Sequence, residues 1–149
     1  MQSVIYNQLL ISMLTVTFPG RFESLEKISD FVAKAAKTAG LDDAGVYAVQ
    51  LAVDEACTNI IEHAYKGEDK GNIHCSCETI DDGIKVVLRD NGCSFDPEQV
   101  PEPVINVPLK DLKPRGLGMF LMHKMMDEVH FEFTSNSGNI LTMVKHKSH

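Results

Sequence analysis

The sequence predicts an α+β two-layer sandwich, a mixed but mostly antiparallel sheet with its helices on one face. Three observations lead there. Two alternating segments, 72–80 and 84–89, meet at Asp81-Asp82-Gly83, and two more, 129–134 and 139–145, meet around Ser137-Gly138, which is the pattern of two hairpins. Two segments of helical periodicity stand back to back before the first hairpin. A parallel βαβ sheet would instead need strands and helices to alternate.

The elements can be justified in order. Residues 9–18 are β-branched and apolar and stop at Pro19-Gly20, a strand followed by a turn. This run has no Lys or Arg before it and no small-x-small cleavage pattern after it, and it is too short to span a bilayer, so neither a secretory signal nor a membrane span is expected. Phe22, Leu25, Ile28, Phe31, Val32 and Ala35 recur at three- and four-residue steps, and Gly40 closes that helix. Leu41-Asp42-Asp43 offers a cap for a second helix reaching about residue 65, with Val46, Val49, Val53, Ala56, Ile60 and Ala64 as its core stripe. The first hairpin ends at Asp90-Asn91-Gly92. Residues 93–115 then hold five of the six prolines and no sustained periodicity, which predicts a long loop acting as a lid. Residues 116–126 form an amphipathic helix that opens on glycines.

At 149 residues, 44% hydrophobic and 23% charged, the chain suits one domain spanning 1–149. A net charge of −7 without a Lys or Arg cluster argues against a direct nucleic-acid surface. The same charge repels an anionic nucleotide, so any phosphate site needs a metal ion and local backbone donors. Cys57, Cys75, Cys77 and Cys93 lack the paired spacing of a disulfide scaffold, which points to a reducing cytoplasm. Cys75-x-Cys77, with His74 and Cys93 nearby in sequence, could tempt a metal assignment, but alternating cysteines on one strand face are expected as half-buried apolar residues. Met119, Met122, Met125 and Met126 are expected to fill core.

Three polar groups carry the chemistry. Glu55 and Asn59 lie four residues apart on one helix face, beside the core stripe, and His63 continues that line. The Asn oxygen suits Mg²⁺ and the Glu a general base, although a solvated helix face shows the same spacing. Asp90 at a strand end can accept from an exocyclic amine such as that of adenine, with Gly92 letting backbone approach the ring; the same residues make an ordinary tight turn. Arg115-Gly116-Leu117-Gly118 opens a helix, where free N–H groups and the dipole favour phosphate, yet it matches neither the dinucleotide fingerprint nor a Walker loop.

Together and in this order, the stretches 54–65, 90–97 and 115–121 resemble the N-box and the two glycine boxes of the GHKL (Bergerat-fold) ATPases, in the branch of the anti-sigma-factor serine/threonine kinases. The resemblance covers nearly the whole chain, through Asn139-Ile140-Leu141-Thr142-Met143. It implies ATP and Mg²⁺ as cofactors, Glu55 as base, Asn59 as metal ligand, Asp90 and Gly92 at adenine, and Gly116 and Gly118 at the phosphates. It implies further that Thr142 supports adenine recognition near Asp90 and that Arg115 stands near the γ-phosphate. His63 matches the family's His-Ala-Tyr run. The implied function is phosphorylation of an anti-sigma-factor antagonist on Ser or Thr, with a sigma factor or another regulatory protein as second partner and a homodimer as a possible assembly. Two alternatives stay open at this point. One is a non-catalytic module in which ATP sets partner binding; the other is the ATP-binding half of a histidine kinase, for which the chain lacks a phosphoacceptor helix.

Overall fold

Strand alternation sets the frame. The computed structural model describes residues 13–94, 114–134 and 138–148, with side chains in the third helix from residue 118 onward. Five strands, β1 (Met13–Pro19), β2 (Asn72–Ile80), β3 (Gly83–Asp90), β4 (Glu128–Thr134) and β5 (Gly138–His146), form one sheet in the order β1-β2-β3-β5-β4. Every pairing among them is antiparallel. One row of partners crosses all five strands, Val16, Cys75, Leu88, Leu141 and Phe131, and residues two apart along each strand share its face. Ile73, Cys75, Cys77, Ile84, Val86, Leu88, Leu141 and Met143 on that face are buried.

The helices cover this face. α1 (Ser24–Thr38) and α2 (Asp43–Asn59) pack side by side, and α3 (Pro114–Met125) lies against α2. The stripe expected on α2 is buried at every position named, from Val46 to Ala64. Asp42 caps α2, its Oδ1 accepting from Gly45 N–H at 2.8 Å. On α1 the expectation needs correcting: Phe22 precedes the helix and is 42% exposed, while Ile28, Val32 and Ala36, each four residues apart, form the buried line with Ala33. A four-residue step keeps that line over α2 and the sheet, and Phe22 falls outside it. Met119, Met122 and Met126 are buried as core, as are Cys57, Cys75 and Cys77, whereas Cys93 is exposed.

Two boundaries differ from the sequence reading. α2 does not run as one α-helix to residue 65 but passes at Ile60 into a π-helical turn, Ile60–Ala64. α3 begins at Pro114, two residues before its first glycine; proline suits that place because its missing N–H would have no partner there. The first strand is described from Met13, and most of the expected lid, residues 95–113, lies outside the described residues. Among the described residues no helix is long and apolar enough to cross a membrane.

The topology has one consequence for position. The chain leaves β3 at Asp90, returns as the edge strand β4, and only then inserts β5 between β3 and β4. The start of β5 therefore faces the end of β3, and Asn139 becomes the register partner of Asp90.

Candidate functional site

A cleft runs between α2, α3 and the β3–β5–β4 end of the sheet. Its empty volume, open solvent at the mouth included, is about 480 Å³. Ala56, Ile60, Met119, Met122 and Leu141 give it apolar walls. Polar groups stand at its two ends.

One end is built by α2 and α3. Glu55 and Asn59 are half-buried on the same flank of α2. Gly118 of α3 stands over them: a Cβ added there would lie 2.8 Å from Glu55 Oε2 and 3.8 Å from Asn59 Nδ2. Gly118 is thus a point of close approach, and any larger residue would push on the carboxylate. Burial is the main reason the Glu55 carboxyl titrates above the ordinary glutamate range, with the charges of Asp54 and Glu62 adding to it. Arg115 and Gly116 belong to the first turn of α3, whose leading N–H groups have no partner within a helix. Gly118 comes a turn later, so its contribution is space rather than a free donor.

Asp90 closes the other end at 4% exposure. Its Oδ1 accepts from Gly92 N–H at 2.9 Å and from Asn139 Nδ2 at 2.8 Å. Burial raises the Asp90 pKa, and those two donors oppose the rise without cancelling it. Gly92 packs on the end of the π-helical turn: a Cβ there would come within 2.5 Å of the Ala64 carbonyl, and the next residue, Cys93, donates its N–H to that carbonyl at 2.8 Å.

The π-helical turn is what brings these parts together. Tyr65 N–H reaches back to the Ile60 carbonyl and Gly67 N–H to that of Ile61, wider spacings than an α-helix uses. The Tyr65 hydroxyl donates to the Asn72 carbonyl at 2.6 Å and accepts from Asn91 N–H at 3.0 Å. One phenol therefore ties the end of the α2 segment to the start of β2 and to the Asp90 turn. His63, on the same segment, lines the cleft.

Thr142 is the residue the structure moves elsewhere. It pairs with Val87 and His130 in a row on the outer sheet face, with Ser76 and Thr15 further along it. It is three residues from Asn139, and an odd separation along a strand puts it on the opposite face from Asp90. Asn139 holds the place expected of Thr142. Sequence reading missed Asn139 because its pairing with Asp90 depends on β5 inserting between β3 and β4. It passed over Tyr65 as a partner of the Asp90 turn because the residues are 26 apart in the chain. The only sequence signal for either was position: Asn139 follows the turn glycine Gly138, and Tyr65 ends the helical stripe.

Residues 18–145 match the family model described as histidine kinase-like ATPase domain. Among curated proteins, the chain is 32% identical over 136 residues to the serine-protein kinase RsbW of Halalkalibacterium halodurans, covering 89% of this chain and 82% of that one. It is 31% identical to serine-protein kinase RsbW of Bacillus cereus, over 89% of this chain and 84% of the relative. In fold it resembles the RsbU and RsbW domains of a Mycobacterium tuberculosis protein at a TM-score of 0.65 and 16% identity, over 92% of this chain and 33% of that one. The catalytic domain of the histidine kinase ThkA matches at a TM-score of 0.52 and 16% identity, over 90% of this chain and 97% of that one. With the matched segment running from β1 through all but the last residue of β5, the chain belongs to the histidine kinase-like ATPase domain family.

Proposed function

We propose that this chain, as a single domain, is an ATP-dependent protein serine/threonine kinase and anti-sigma factor, which phosphorylates an anti-sigma-factor antagonist in a cytoplasmic partner-switching system. The observation that carries this reading is that Asn59 and the buried Asp90 line one apolar cleft, with Glu55 one helical turn before Asn59 and Gly118 packed over both. Its relatives named serine-protein kinase support the same activity.

The cleft fits a purine nucleotide. Asp90 supplies a buried acceptor for an exocyclic amine, and the apolar walls take the faces of the ring. The first turn of α3, to which Arg115 and Gly116 belong, offers the phosphates helix N–H groups that have no partner within the helix. Asn59 would hold Mg²⁺ through its side-chain oxygen, since Mg²⁺ is often bound by few protein groups together with substrate phosphates. Bound there, Mg²⁺ supplies neutralisation of charge on the phosphoryl group.

Glu55 acts as general base. Its carboxylate takes the proton of the acceptor Ser or Thr hydroxyl as that oxygen bonds to the γ-phosphorus. The bond from that phosphorus to the β–γ bridging oxygen breaks, and ADP leaves. A carboxyl held above its usual range is better matched to this task near neutral pH than an exposed one.

Incubation with labelled ATP and candidate antagonists tests the reading. Transfer to Ser or Thr that disappears in Glu55→Ala is expected. Absence of Glu55-dependent transfer across plausible antagonists, with nucleotide binding intact, would overturn it.

A further inference from the structure

At the closed end of the cleft, Asn139 uses its amide fully on one side and not at all on the other. Its Nδ2 donates to Asp90 Oδ1 at 2.8 Å and to the Cys93 carbonyl at 3.0 Å. Turning the amide over would set its oxygen against a carboxylate and a carbonyl, so these partners fix its orientation. The side chain is 8% exposed, and its Oδ1 is buried without a hydrogen-bond partner. An unpaired buried acceptor is costly and calls for a donor from a ligand or water. Asp90 is equally lopsided. Both of its donors, Gly92 N–H and Asn139 Nδ2, go to Oδ1, and among the described residues none donates to Oδ2.

We infer that Asn139 determines base selectivity: by engaging Asp90 Oδ1 it leaves one carboxylate oxygen for the base, and its own Oδ1 is a second acceptor at the same end. This rests on the nucleotide reading above and assigns a specificity role within it. A 6-aminopurine offers one amine with two N–H groups, which suits two separate acceptors. Guanine offers N1–H and the 2-amine side by side and is best met by both oxygens of one carboxylate. With Oδ1 already holding two donors, that paired contact is closed, and the guanine O6 would face acceptors only. The ligand class is therefore a 6-aminopurine nucleotide, and Asn139 acts on it both directly and through Asp90.

The test is calorimetric titration of the full chain with ATP, GTP and ITP, for the native protein and for Asn139→Ala and Asn139→Ser. The native protein is expected to bind ATP about tenfold or more tightly than GTP or ITP. In Asn139→Ala, the ATP-to-GTP ratio is expected to fall about tenfold, with GTP gaining because Asp90 Oδ1 is released. Asn139→Ser, whose hydroxyl both donates and accepts, is expected to recover part of the ratio. Equal weakening of all three nucleotides in Asn139→Ala, or an unchanged ratio, would reduce Asn139 to a structural role and overturn the inference while leaving the nucleotide reading standing. A native protein that binds none of the three overturns both. Should Asn139→Ala lose its circular-dichroism signature of folding, the native ATP-to-ITP comparison decides, since equal affinity for the two means that no acceptor pair reads the amine.

Discussion

Replacing Gly118 by alanine separates the stability of this fold from its proposed chemistry. The added Cβ would stand 2.8 Å from Glu55 Oε2, whereas ordinary contact begins at 3.4 Å, so the carboxylate must retreat by about 0.6 Å. The atom that must move is the far end of a flexible, half-buried side chain, so the displacement costs little. Alanine is also the better helix former, by about 0.8–1 kcal/mol in a helix interior. The two effects together leave the thermal midpoint unchanged or slightly raised. A misplacement of 1 Å in a catalytic group can cost about a hundredfold in rate, so a shift of this size is expected to lower kcat roughly tenfold. The KM for ATP should move little, because Asp90 and the apolar walls are untouched. Steady-state transfer of labelled phosphate to an antagonist, beside a calorimetric melt, measures both. A variant with native kcat would refute the claim that Gly118 exists to seat Glu55, and one with a midpoint several degrees lower would refute the claim that only a side-chain tip has to yield.

Further outcomes follow from the same geometry. Glu55→Gln should bind ATP normally and lose phosphoryl transfer by about 10²–10⁴-fold, measured as single-turnover rates. In the native enzyme, kcat should fall as pH drops through a pKa above the ordinary glutamate range, because the base must be ionised and burial opposes that; a profile flat down to the ordinary range would contradict it. Asp90→Asn should abolish adenine selectivity without loss of stability at neutral pH. The folded Asp90 pKa lies above its unfolded value, so the carboxyl favours the folded state most when protonated, and this contribution is lost as pH rises through the folded pKa. The variant's stability relative to native protein should therefore decline as pH falls, read by urea denaturation at several pH values. Tyr65→Phe removes a donor from the Asn72 carbonyl and an acceptor from Asn91 N–H. It should cost about 1–3 kcal/mol in urea denaturation and weaken ATP binding through a looser Asp90 turn; native stability would show that solvent replaces the phenol at no cost.

Local chemistry made much of this architecture legible in the chain itself. Period-two alternation ending in turn residues marked both hairpins, and a three- and four-residue stripe marked α2, because burial of one face selects those periods whatever the partner is. The four-residue step between Glu55 and Asn59 likewise ensured that they share a face. The same reasoning failed at Phe22, where a large apolar residue beside a helical pattern was read as part of it, and at residue 60, where nothing in the periodicity announces a π-helical turn.

What the sequence determined alone was therefore the period of the main strands and helices, and with it which residues of one element share a face. What only the tertiary structure decided was which of those faces meet. Asn139 rather than Thr142 stands by Asp90 because β5 slides between β3 and β4, and side-chain parity then admits one residue and excludes the other. Gly118 stands over Glu55 because α3 packs on α2, although they are far apart in the chain. Contacts of that kind depend on closing long loops and on the packing of whole surfaces, and neither is encoded in a local window.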